Sequence, residues 1–157
     1  MKEFPSDRWA LFAFADSASG VFSPVGVELG KILKTKFKNL SADEKAFIDN
    51  SETYKDYDVH QKADFKNLSP VLAKSYISLY YERDSVAVLD ELDSKKQMIK
   101  TFLKNEKSAV GSDKYIYESM RDNMYNLLTE IWLNSYPNVR KEESNRAYEL
   151  LLEVGLI

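Results

Sequence analysis

Between Ser112 and Pro137 the sequence reads SDKYIYESMRDNMYNLLTEIWLNSYP, and this stretch leaves the chain few alternatives. Ile116, Met120, Met124, Leu127 and Ile131 recur at intervals of four, four, three and four residues. That period belongs to an α-helix with one buried face. Leu128 and Trp132 widen the stripe into a sector that other elements must cover. Ser112 or Asp113 can cap the first turn, and Pro137 disfavours helical geometry at Tyr136. The spacing therefore predicts a long central helix, with the rest of a helical domain arranged around it.

The flanking sequence carries the same kind of signal. Trp9, Leu11, Phe12 and Phe14 predict an apolar first helix between Asp7 and Ser19. Asp7, Arg8 and Asp16 fence this run, which reads as a mature helix and not as a signal peptide. Ser23-Pro24 is an N-cap followed by Pro at the first helical position. Val25, Leu29, Ile32, Leu33 and Phe37 give that second helix its face. Ser41 and Glu44 have capping-box spacing and open a short helix. Residues 50–67 fit neither period well, and a loop leading into a short helix is the expectation there. Ser69-Pro70 repeats the Ser23-Pro24 device, so a helix is expected to start at that point and run towards Arg83. Asp84 or Ser85 caps the next one, and Ser94 with Gln97 offers a second capping box inside residues 85–106. Asn138 is the expected cap of the last helix and Gly155 its stop. Phe37-Lys38-Asn39-Leu40-Ser41 recurs as Phe65-Lys66-Asn67-Leu68-Ser69, which reads as a shared helix-to-helix connector.

These signals add up to an all-α chain, a single domain over 1–157 of about six to eight helices with short capped connections. Only five Gly and four Pro are available, too few for the many tight turns of a sandwich or barrel. No run approaches the length of apolar sequence that spans a bilayer, so no membrane is expected and the cytoplasm is the default address.

Most recognisable chemistry is excluded. The chain has no Cys, hence no disulfide, thiolate nucleophile or Cys-ligated metal. His60 is the single histidine, which rules out His-pair zinc and the two-Glu-x-x-His di-iron pattern. Gly26-Val27-Glu28-Leu29-Gly30-Lys31-Ile32 resembles a phosphate loop but has one residue too few between its glycines. Ile32 also stands where a magnesium-binding Ser or Thr belongs. Asp49, Ser51 and Thr53 begin like a calcium loop, yet Tyr54 replaces its glycine and His60 its bidentate Glu. There is no Gly-x-Ser-x-Gly elbow. The expectation is a protein without cofactor, metal or enzymatic activity.

What remains is the segregation of charge and tyrosine. The chain has a net charge of −3 and ten Tyr. Acids outnumber cations in residues 42–64 and again in 82–93, while lysines dominate 31–38 and 95–107. Each acidic stretch is interleaved with Tyr: Tyr54, Asp56, Tyr57 and Asp58 in the first; Tyr80, Tyr81, Glu82 and Asp84 in the second. Tyrosine supplies rigid contact area, and carboxylates steer and pair with the Lys and Arg of a basic partner. These eight residues are the candidate partner-binding site. The reading is an acidic protein-binding module, in concrete form a bacterial immunity-type inhibitor covering the basic cleft of a nuclease-like toxin. The alternatives are a helical nucleic-acid-binding regulatory domain using the lysine-rich helices, against which the charge balance argues, and a structural subunit that packs through Trp9, Phe12 and Phe14.

Overall fold

The structure is a computed structural model, and it describes residues 24–36, 41–43, 46, 62–133 and 139–157. Among them are six α-helices and no strand: α1 (Pro24–Lys36), α2 (Ala63–Tyr76), α3 (Ser85–Ser94), α4 (Lys96–Glu106), α5 (Ser112–Trp132) and α6 (Lys141–Val154). A π-helical turn, Ile77–Tyr81, continues α2. The all-α class is therefore as the sequence predicts, with six helices among the described residues where six to eight were expected.

The stripe on α5 is buried as its spacing requires: Ile116, Met120, Met124, Leu127, Leu128 and Ile131 are all inaccessible. Its ends differ from expectation. Gly111 occupies the cap position at φ 65°, ψ −141°, a geometry that favours glycine, and neither Ser112 nor Asp113 caps the helix. Asp113 instead forms an ion pair with Lys62. At the other end the helix stops at Trp132, ahead of Pro137, and the Leu133 N–H donates to the Thr129 carbonyl (2.8 Å).

The centre of the packing is α2, not α5 alone. It meets α1, α3, α4, α5 and its own π turn, whereas α5 packs chiefly on α6 and also on α4 and α2. Phe65, Leu68, Leu72, Tyr76 and Leu79 follow the helical period and are buried. This helix begins at Ala63, so Ser69-Pro70 lies inside it and caps nothing. Pro70 removes one N–H from the ladder, a defect of about 3 kcal/mol in a helix interior. The carbonyl that loses its donor belongs to Lys66, an exposed residue, where water can reach it. The Ser69 hydroxyl donates back to the Phe65 carbonyl, and Ser75 does the same to Val71 (2.8 Å). Burial of the long apolar face outweighs the local start signal. The second FKNLS copy is thus helix interior, not connector; most of the first lies outside the described residues.

The helices α3 and α4 are separate, divided at Lys95 (φ −108°, ψ 16°). No Ser94–Gln97 box forms, because the Ser94 hydroxyl turns back to the Glu91 carbonyl (2.7 Å). The last helix starts at Lys141, with Arg140 at the cap position donating its N–H to Glu143 Oε2 (2.7 Å). Asn138 falls outside the described residues. Gly155 ends α6 in the left-handed region at φ 90°, as predicted. Gly26 to Ile32 lies within α1, which is incompatible with a phosphate loop. An aromatic cluster joins the layers, with the Tyr117 ring 4.9 Å from Phe65 and 4.7 Å from Phe102.

Candidate partner-binding surface

Of the residues singled out by sequence, Tyr54, Asp56, Tyr57 and Asp58 lie outside the described residues. The second group forms a corner between two helices. Tyr80 is half-buried, its ring stacked on Tyr76 (5.3 Å, 7°) and its hydroxyl hydrogen-bonded to Glu130. Tyr81 ends the π turn. Glu82 and Asp84 are exposed, but one Asp84 oxygen accepts the Ala87 N–H (3.0 Å) and so caps α3, as its position in the sequence suggests. Arg83 sits at φ 55°, a left-handed conformation for a side-chain-bearing residue. Two bonds hold the corner: Glu82 N–H to Ile77 O (3.0 Å) and Asp84 N–H to Ser78 O (2.8 Å).

The acids that follow are largely engaged within the fold. Asp90 pairs with Arg146 (2.7 Å), and Asp93 with Lys96 (3.3 Å). Glu143 accepts from Ser85 (3.0 Å). Lys96 also reaches Glu153 (2.9 Å); hydrogen bonds to Glu153 and then Asp93 hold its pKa above the ordinary lysine value. Part of the lysine surplus on α4 is therefore committed to ion pairs inside the fold, which lowers its potential as a phosphate-binding face.

A different aromatic surface is present on the hairpin of α5 and α6. The Ser144 hydroxyl donates to the Trp132 carbonyl and ties the start of α6 to the end of α5. Trp132 and Tyr148 then meet with ring centroids 5.0 Å apart. Tyr125 precedes Trp132 by seven residues and Leu152 follows Tyr148 by four, so each pair shares a helix face. Tyr125 (40% exposed), Tyr148 (39%) and Leu152 (49%) continue the Trp132 contact as an apolar strip along the hairpin. Glu118 and Asp122 lie on α5 near Tyr125, Glu149 lies beside Tyr148, and Lys141 stands at the far end. Glu118 and Glu149 carry no ion pair among the described residues, while Asp122 makes only a long contact with Arg121 (3.6 Å).

Tyr115, Tyr117 and Tyr125 lie off the central Ile116–Ile131 row of α5, a placement that predicts partial exposure for all three. Tyr115 and Tyr125 are exposed, but Tyr117 is buried (5%). Its ring enters the cluster of Phe65 and Phe102, and its hydroxyl donates to Asp64 Oδ2. Burial, then the hydrogen bond to Asp64, raises the Tyr117 pKa well above that of a free phenol. Asn105 Nδ2 donates to the same oxygen (2.8 Å). Beside this carboxylate an open cleft of about 260 Å³ separates α2 from α4, lined by Asp64, Asn67, Gln97, Met98, Thr101 and Phe102.

Among the described residues no group of three His, Asp or Glu side chains is placed to hold a metal ion. No described helix is long and apolar enough to cross a membrane. Neither the strip nor the cleft stands out in the one-dimensional sequence, because their members lie on helices brought together only by the fold. The spacing of Tyr125 to Trp132 and of Tyr148 to Leu152 was the one available signal. No family model matches the chain, and no curated protein or solved structure shows a significant match to it.

Proposed function

We propose that this chain is a protein-binding module for a basic partner, acting in the cytoplasm in the manner of a bacterial immunity protein that covers the cationic cleft of a nuclease-like toxin. The observation that carries the reading is the strip of Tyr125, Trp132, Tyr148 and Leu152, flanked by Glu118, Asp122 and Glu149. Trp and Tyr on rigid helices lose little conformational entropy on binding and are the residue types that dominate interface energies. The carboxylates beside them complement Lys and Arg, raise the encounter rate and disfavour acidic partners. In this reading Glu82 and Asp84, with Tyr80 and Tyr81 beside them, and the Tyr54, Asp56, Tyr57 and Asp58 segment supply outlying contacts. The module works by occlusion and needs no cofactor.

The test is co-expression with the product of the adjacent reading frame, followed by calorimetry and a nuclease-inhibition assay. A complex is expected whose association rate falls as salt rises. Tyr125→Ala with Tyr148→Ala should weaken it by roughly a hundredfold, about 2–3 kcal/mol, as for an anchor pair. A complex that keeps full affinity in this double variant overturns the strip as the interface. A neighbouring product that is basic yet not bound overturns the module.

A further inference from the structure

We infer that the cleft between α2 and α4 is a binding site for a guanidinium group carried on a short aliphatic stem. Its lining contributes one formal charge, the Asp64 carboxylate. That carboxylate is held in place by two donors on the same oxygen, the buried Tyr117 hydroxyl and Asn105 Nδ2. Oδ2 is thereby occupied, and Oδ1 takes no hydrogen bond from the described residues, so it is the oxygen left to a ligand. Thr101, Asn67 and Gln97 are exposed around it and add a hydroxyl and two amide carbonyls as further acceptors. A guanidinium has five N–H donors in a planar fork and no acceptor, so a lining of one carboxylate and several neutral acceptors suits it. Met98 and Phe102 complete the wall with a thioether and a buried ring, against which methylene groups and the flat face of the cation can lie.

The same chemistry arises in a free alkylguanidine and in an arginine side chain of a polypeptide. The site stands apart from the α5–α6 strip, and a free guanidine would fill it with no protein partner present. The experiment is NMR titration of the full chain with agmatine, with acetyl-Gly-Arg-Gly-amide, and with the matching citrulline peptide. Saturable shifts of the Asn67, Gln97 and Asn105 side-chain amides are expected with the two cationic probes and not with citrulline. The tighter of the two identifies the source. Asp64→Asn keeps the shape and should weaken binding by roughly tenfold, the scale of a lost charge-assisted bond. Gln97→Ala, on the exposed rim, should weaken it less without touching the Tyr117–Asp64–Asn105 bonds. Absence of saturable shifts with both cations, equal binding of citrulline, or unchanged affinity in both variants overturns the inference.

Discussion

Two tyrosine–carboxylate pairs join the α2 unit to the helices around it, one at each end, and they are built to opposite standards. At the start of α2, Asp64 receives the Tyr117 hydroxyl and the Asn105 amide. At the π turn that ends the unit, Glu130 receives Tyr80, while its Oε2 is buried with no hydrogen-bond partner. Asn123, seven residues before Glu130 on the same face of α5, likewise buries an unpaired Nδ2. Its own carbonyl accepts the Tyr76 hydroxyl (3.1 Å). Burial pushes the Glu130 pKa up, with the Tyr80 bond opposing, and burial followed by the nearby Glu130 pushes up Tyr76. A carboxylate with two donors serves as a fixed fitting. One with a buried orphan oxygen destabilises the fold while it is charged.

The largest expected effect breaks the well-satisfied end outright. Phe65 is fully buried at the meeting of α2, α4 and α5, in edge-on contact with Phe102 (6.5 Å) and beside the Tyr117 ring. Phe65→Ala should cost about 3–5 kcal/mol, read from urea denaturation midpoints at constant slope. A cost under 1 kcal/mol would mean that this cluster does not organise the core.

A narrower change isolates the hydrogen bond. Tyr117→Phe keeps the ring and removes the hydroxyl that Asp64 accepts, and should cost about 1.5–3 kcal/mol, the range for bonds to charged groups. Asn105 still holds Asp64 in this variant, so the lower end of that range is expected. A neutral result would erase the contrast between the two ends.

The stripe of α5, the Asp84 cap of α3 and the Gly155 stop of α6 were legible in the sequence because each rests on neighbours within one or two turns. The start of α2 was not. Ser69-Pro70 has the local chemistry of a helix start, and only the long-range burial of Phe65 and Leu68 decides that the helix is already under way. Tyr117 departs from its sequence pattern for a similar reason. Its place beside the Ile116 row suggested a rim position, yet Phe65 and Phe102 come from elsewhere in the chain to cover it. At residues 80–84, where Tyr and acid are adjacent in sequence, Asp84 also caps α3 and Tyr80 also packs on Tyr76, roles that the charge pattern alone does not specify. The aromatic strip and the Asp64 cleft each require two helices to be juxtaposed, and periodicity within one helix does not specify which helix it will face.

The smallest expected effect is the sharpest probe of the poorly satisfied end. Glu130→Gln removes the charge while keeping the shape and an oxygen that can accept from the Tyr80 hydroxyl. A carboxyl whose pKa is higher in the folded than in the unfolded chain binds its proton more readily when folded. Folding is then favoured as pH falls through the folded value towards the ordinary 4.5, and the gain is lost as pH rises. At neutral pH the wild type therefore bears the full cost of the charged, half-buried group. Glu130→Gln should be the more stable there, by no more than about 1 kcal/mol because solvent reaches part of the side chain. Below that window the advantage should vanish, since the wild-type carboxyl is then neutral too. Denaturation midpoints of the two proteins, taken in parallel from neutral pH to just below 4.5, should converge on acidification. Parallel curves would show that the charge on Glu130 costs the fold nothing and that its buried orphan oxygen does not set this end apart energetically.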